Sequence, residues 1–178
     1  MEKLFTKKLM VKKIIILVVL FFSFSTISKA QDVHKFQSIF IYNFSKFIQW
    51  PAEYENGAFV IGVLGESPIT KYLEDMASVK KVRGQKFIIK NFSSVSQITK
   101  CHMLYIPSNK SAYLKKCLDG VGNNATLIIT DKPGMAENGS GINFLIVDGK
   151  PKFELNKTST TKHNLKVSAQ LTKLAILI

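Results

Sequence analysis

Along residues 33–49 apolar side chains recur every three or four positions: Val33, Phe36, Phe40, Phe44 and Phe47, with Ile39, Ile41 and Ile48 widening the stripe. This spacing places them on one face of an amphipathic helix. The helix is expected to stop at Trp50-Pro51, because a proline ring disfavours helical geometry in the residue before it. The stripe is expected to pack on the domain's own sheet rather than on a partner or a lipid surface. After a turn over residues 53–57 the period changes. Phe59-Val60-Ile61-Gly62-Val63-Leu64 is an unbroken apolar run ending at Gly65, the pattern of a strand buried on both faces.

Ser67-Pro68 then opens a helix to about residue 78, with serine as N-cap and proline at the first helical position. A basic loop, Lys80-Lys81-Val82-Arg83-Gly84, leads into a strand over residues 86–91 and a short helical turn. Residues 101–106 read as a strand closed by Pro107, residues 110–118 as a helix ending near Gly120, and residues 125–130 as the next strand. The alternation of strand and helix predicts an α/β domain, a largely parallel sheet flanked by helices. A C-terminal β-hairpin and helix complete it: residues 142–147 and 152–155 flank Asp148-Gly149, a strong hairpin signal. Leu165, Val167, Leu171, Leu174 and Leu177 then mark a helix beginning near Ser168.

The first 30 residues stand apart. Six lysines and one glutamate surround an apolar run over residues 14–24, and small residues precede the Ala30–Gln31 bond. This is the pattern of a secretory signal peptide cleaved between Ala30 and Gln31, leaving residues 31–178 as one exported domain. The apolar run falls short of the about 20 residues a membrane span needs, with retention as an anchor as the alternative.

The chain carries 25 Lys+Arg against 12 Asp+Glu, a formal net charge of +13. Without the leader it holds 19 basic and 11 acidic residues, or +8. The remaining excess is almost all lysine, in clusters around residues 80–90 and 150–166, with Arg83 the one arginine. Bidentate recognition of bases and phosphates favours arginine, so nucleic acid is not expected as a partner. The lysines read as a solvated exterior, with anionic headgroups or an acidic partner face as the sharper alternative.

Signs of catalysis or of a bound cofactor are missing. His34, His102 and His163 form no HExxH or HxH pair, and no GxSxG elbow occurs. Gly120-Val121-Gly122 follows a helix, whereas a dinucleotide fingerprint must follow a strand. Cys101 and His102, adjacent in a strand, would point to opposite faces and could not act as nucleophile and base. Glu74-Asp75 sits on a helix flank, and Glu154 reads as an exposed strand position opposite to Phe153 and Leu155. Cys101 and Cys117 lie 16 apart, and either a single bridge or two buried free thiols is open. The expectation is of a non-enzyme with no cofactor or metal.

Several strings together resemble one family. Residues 41–51, Ile-Tyr-Asn-Phe-Ser-Lys-Phe-Ile-Gln-Trp-Pro, are similar to the "YNFxKFxxWP" opening of the YfiR-like exported proteins. The strands at residues 61–65 and 101–106, the segment 141–144 and the segment 152–156 also match in order. The chain closes on residues 165–175, similar to the family's "LxISxxLLxLA" ending, departing from it at Leu171-Thr172. The resemblance implies a periplasmic α/β protein without a catalytic site. It also implies inhibition of an inner-membrane diguanylate cyclase through the cyclase's periplasmic sensor region, lowering cyclic-di-GMP and restraining biofilm formation. Family members with two disulfides are not matched by a chain with two cysteines.

An inhibitor of this kind must bind one state of its partner more tightly than the other. Its contact surface is expected to expose an apolar cluster with a polar rim. The candidates are Phe153, Val167 and Leu171 beside Glu154 and Lys166, since the hairpin and the C-terminal segment lie toward a chain end. Trp50-Pro51 is expected to be a structural corner. The partner is expected to be a membrane-bound signalling protein, a diguanylate cyclase or a sensor kinase, and a homodimer is a further option. The rival reading is a periplasmic receptor for a small-molecule ligand, with a crevice at the strand carboxyl ends near Gly65 and Thr130.

Overall fold

A computed structural model describes the backbone of residues 27–178 and the side chains from residue 33 onward; most of the expected signal peptide, residues 1–30, lies outside the described residues. Its last residues and the Ala30–Gln31 bond fall in the first turns of helix α1 (Ile27–Phe47). The chain then runs β1 (Ile48–Gln49), β2 (Phe59–Leu64), α2 (Ile69–Val79), β3 (Lys81–Val82), β4 (Gln85–Phe92), β5 (Met103–Ile106), α3 (Leu114–Val121) and β6 (Leu127–Thr130). It ends with β7 (Ile142–Val147), β8 (Lys150–Leu155), α4 (Lys157–Lys162), β9 (Lys166–Val167), α5 (Ala169–Leu174) and β10 (Ile176–Leu177).

Eight strands form one sheet in the order β10-β8-β7-β6-β5-β2-β4-β3, and β1 pairs with β9 in a separate two-stranded sheet. The four contacts linking β4, β2, β5, β6 and β7 are parallel. Within the eight-stranded sheet the antiparallel pairings join hairpin neighbours, at β3–β4 and β7–β8, and the separate β1–β9 pair is antiparallel too. This is the expected α/β architecture. The central strands are the continuous apolar runs, and β5 and β6 are buried at every position because both faces are covered.

Alternation sorts the side chains into two cores. Ile61, Val63, Met103, Tyr105, Ile129, Phe144 and Phe153 lie on the face covered by α1 and α2. Leu64, Leu104, Ile106 and Ile128 lie on the other face, with Leu114, Cys117 and Val121 of α3. Under α1, Phe40 and Phe44 approach Phe153 to 5.5 and 5.1 Å between ring centroids, and Phe44 stacks on Phe144 at 5.8 Å. Phe36, Phe40, Ile41, Phe44 and Phe47 of α1 therefore pack on the domain's own sheet, as the periodicity predicts, whereas Ile39 stays exposed. On the opposite face Gly62 is required by close approach, since a methyl group there would come within 2.5 Å of the Phe92 ring.

Both hairpins turn on two residues with positive φ, 51° and 70° at Asp148-Gly149 and 46° and 83° at Arg83-Gly84. That geometry matches the right-handed twist of the flanking strands. The first is the expected hairpin. The second replaces a predicted loop, because arginine is not a usual residue for the left-handed region. Its guanidinium donates to the Ile48 carbonyl at 3.1 Å and, at 3.4 Å, to the Lys46 carbonyl in the last turn of α1. Arg83 thus satisfies carbonyls that a helix end leaves open.

Three helix expectations shift. α2 starts at Ile69 with Pro68 as its N-cap, and Ser67 contributes its backbone carbonyl to Thr70 N–H rather than a side-chain cap. The segment 108–113 is a 3₁₀ helix, and α3 itself spans Leu114–Val121. Ser168 does cap α5, its hydroxyl accepting from Leu171 N–H, but the helix ends at Leu174 instead of reaching Leu177. Ile176 and Leu177 turn back to pair in parallel with β8, whose outer edge would otherwise present unpaired backbone groups.

Candidate functional site

The turn after α1 is a built corner. Trp50 Nε1–H donates to the His102 carbonyl at 3.2 Å, and the Trp50 ring meets Phe59 edge-on at 5.0 Å. His102, buried just before β5, stacks on Phe59 at 4.1 Å. Val60 N–H donates to His102 Nδ1 at 3.0 Å, so the imidazole proton sits on Nε2 and is donated to the Tyr54 carbonyl at 2.8 Å. Burial holds the His102 pKa below its ordinary value. Both ring nitrogens are committed to backbone, which makes His102 a structural residue with no free lone pair for a metal or a substrate.

Beside this corner lies an open groove of about 1030 Å³. One wall comes from the segment after β1, with Trp50, Glu53 and Glu55, and the other from α4 and β9, with Lys157, Lys166 and Val167. Two-stranded pairing sets the walls: Ile48 lies opposite Val167 and Gln49 opposite Lys166, and Ser168 N–H donates to the Phe47 carbonyl. Among the described residues none of Glu53, Glu55, Lys157 and Lys166 is held in an ion pair, the one such pair being Lys115–Asp119. The groove therefore offers acidic and basic groups on separate walls around a partly apolar floor, chemistry suited to another polypeptide.

Two of the five candidate contact residues, Lys166 and Val167, come together in this groove. Phe153 and Leu171 do not, being 2 % and 1 % exposed. β8 is not the sheet edge the chain end suggests: β10 pairs outside it and α1 covers Phe153 from above. Leu171 points inward from α5 into the same core. The expected exposed cluster of Phe153 and Leu171 is thus corrected to core. Exposed apolar side chains appear later in the chain, at Leu174, Ile176, Leu177 and Ile178.

Glu154 is half-buried and engaged. Asn143 Nδ2 donates to its carboxylate at 2.8 Å, and Thr130 Oγ1 donates to Asn143 Oδ1 at 2.8 Å. These three residues are register partners across β6, β7 and β8, so they line one face in a row. The row satisfies polar groups that the sheet buries. Sequence pattern alone reads Glu154 as an exposed strand position, because it cannot show the amide facing it.

Cys101 and Cys117 are free thiols buried in the α3-side core. Burial raises their pKa values to about 12 and about 11. Thiols that stay protonated are poor nucleophiles and poor metal ligands. Among the described residues no three His, Cys, Asp or Glu side chains cluster as a metal site. No described helix is long and apolar enough to cross a membrane.

The groove's acidic wall and α4 are not evident from periodicity. Asn156 followed by Lys157-Thr158-Ser159 carries a signal for α4, an Asn N-cap, and its Oδ1 does accept from Ser159 N–H at 2.8 Å. Glu53 and Glu55 carry no signal of their own.

A family model described as YfiR/HmsC-like matches residues 34–176. No curated protein matches in sequence. Among solved structures, the chain resembles the ABC domain in complex with L-Trp from Streptococcus pneumonia at 15% identity with a TM-score of 0.48. The match covers 66% of this chain and 54% of that one, so the chain spans about half the length of that structure.

Proposed function

The chain belongs to the YfiR/HmsC-like family, and on that footing we propose that it is an exported, non-enzymatic regulator that restrains a membrane-bound diguanylate cyclase. It acts in the periplasm, binding the cyclase's periplasmic sensor region and holding it in the inactive arrangement. Lower cyclic-di-GMP and reduced surface attachment follow. The family match over residues 34–176 carries this reading. The groove between the Trp50 corner and α4–β9 supports it, since it unites Lys166 and Val167 with unpaired charges of both signs.

Regulation of this kind needs no catalytic group. It needs a ligand whose affinity differs between two partner states; shifting a balance from 1:99 to 99:1 takes about 5.5 kcal/mol of differential binding. A rim of charged residues adds orientation and specificity to such a contact more than raw affinity.

Deletion of the gene is expected to raise cyclic-di-GMP and surface attachment, with return to the parental level on complementation. Complementation with a Lys166→Glu/Val167→Asp chain is expected to fail although the protein accumulates folded. Unchanged nucleotide levels on deletion would overturn the cyclase reading. Full complementation by the double variant would remove the groove from the contact.

A further inference from the structure

At the carboxyl end of β2 the sheet divides its connections. β4, the next long strand in the chain, lies on one side of β2, whereas β5 lies on the other. The loops leaving β2 and β5 therefore part, and open α/β sheets place ligand crevices at such points. A cleft of about 260 Å³ opens here. Leu64 and Val95 contribute apolar wall, and Ser93, Ser94 and Ser96 bring three hydroxyls from the loop after β4. Lys110, Tyr113 and Lys116 close the side toward α3.

Charge in this cleft is unbalanced. The Lys110 and Lys116 ammonium groups lie 6.0 and 5.9 Å from the centroid of the same Tyr113 ring. Neither belongs to an ion pair among the described residues. α3 begins here at Leu114 with no acidic residue in its first turn and no side-chain cap. The 3₁₀ segment 108–113 runs into this helix without a break, Leu114 N–H donating to the Ser111 carbonyl, so the site rests on the two ammonium groups, whose charge an anion held in the cleft would offset. The backbone is shaped to admit Lys110: Gly65 has φ +74°, and a methyl group on it would come within 2.8 Å of Lys110 Cε.

We propose that this cleft binds a small phosphoryl oxyanion, either free phosphate or the phosphate head of a small ester. Ser94 and Ser96 hydroxyls already share one hydrogen bond at 3.0 Å, and the donors that remain on the three serines and two ammonium groups still outnumber the oxygens of a carboxylate and suit a tetrahedral anion. The volume lies below the roughly 300–1,000 Å³ of usual small-molecule pockets, which limits the occupant to a compact ion or head group. The cleft is separate in lining residues from the groove proposed for the cyclase, so the outcome of either test leaves the other open.

The purified chain is to be titrated with inorganic phosphate at fixed ionic strength, followed by phosphorus NMR line width and thermal unfolding, with chloride and acetate as controls. Phosphate is expected to broaden its resonance and raise Tm in the millimolar range, while acetate and chloride do neither. Lys110→Gln and Lys116→Gln are each expected to weaken binding about tenfold, the loss of one charge-assisted contact. Lys166→Gln, in the groove, leaves binding unchanged. Tighter binding of glycerol phosphate than of phosphate assigns an ester head, and equal binding assigns the free ion; either supports the site. An undiminished response in the Lys110→Gln/Lys116→Gln double variant, or no response of the unaltered chain, overturns it.

Discussion

Asn143 and Phe144 are neighbours on β7, and Phe153 and Glu154 are neighbours on β8, yet the pleat sends each pair to opposite sides of the same sheet. On one side Phe144 and Phe153 face each other across the strands beneath Phe40 and Phe44 of α1. On the other, Thr130, Asn143 and Glu154 form a hydrogen-bonded row. The aromatic side is held by area and shape, so what matters there is filled volume. The polar row is held by matched donors and acceptors, so what matters is that every group keeps a partner.

The largest break in this contrast is Phe153→Ala, which empties the space under Phe44. A loss of about 3–5 kcal/mol is expected from denaturant unfolding, whereas Phe153→Leu, keeping most of the volume, costs far less. A cost under about 1 kcal/mol for the alanine variant would mean that α1 does not depend on this ring. Next comes Asn143→Ala, which strips partners from the Thr130 hydroxyl and the Glu154 carboxylate together. About 1–3 kcal/mol is expected by the same measurement. Glu154→Gln keeps an acceptor for the Asn143 amide and is expected to lose less than Asn143→Ala; the reverse order would assign the row's strength to the carboxylate charge.

His102 extends the polar side of the contrast to a group that titrates. Its folded pKa is lowered by burial, so the unfolded chain takes up the proton first. Stability from the neutral ring is fully present above the unfolded value of about 6.5 and is lost as pH falls from there through the folded value. Protonation would place a hydrogen on Nδ1, the atom that accepts from Val60 N–H. His163, buried and bonded through Nδ1 to the Asn124 carbonyl, shifts in the same direction and adds to the same window. Tm is therefore expected to fall between pH 7.5 and 5, with a shallower slope in His102→Gln. Equal slopes in the two proteins would clear His102 as a source. The smallest stability effect is expected from Lys166→Glu, an exposed groove residue, whose unfolding free energy should stay within about 0.5 kcal/mol of the parent. Under the proposed groove contact, its effect is expected in complementation rather than in stability.

Much of this architecture is readable from one sequence. The three- and four-residue spacing of Phe36, Phe40 and Phe44 marks α1 and its inward face, and the unbroken run of β2 marks a strand covered on both sides. Asp148-Gly149 announces its hairpin because the residue types suit the left-handed region the turn needs. Arg83-Gly84 makes the same turn without the signal, since its stabilising bonds run to Lys46 and Ile48, more than thirty positions away. For the candidate site the reach is shorter. Lys166 and Val167 lie in the groove, but Glu53 and Glu55 become their neighbours only through the pairing of β1 with β9.

Local pattern thus determines the long helices and the central strands, which side of each is apolar, and that the sheet is mostly parallel, because these follow from side-chain period and backbone preference. Tertiary structure alone decides which strand ends the sheet. The same periodicity that suggests one long C-terminal helix is overridden when Ile176 and Leu177 pair with β8, a gain in backbone hydrogen bonds available only once β8 is in place. α1 covers Phe153 from above and places it in the core, while the outer strand closes the edge of β8 and leaves the apolar side chains of β10 exposed.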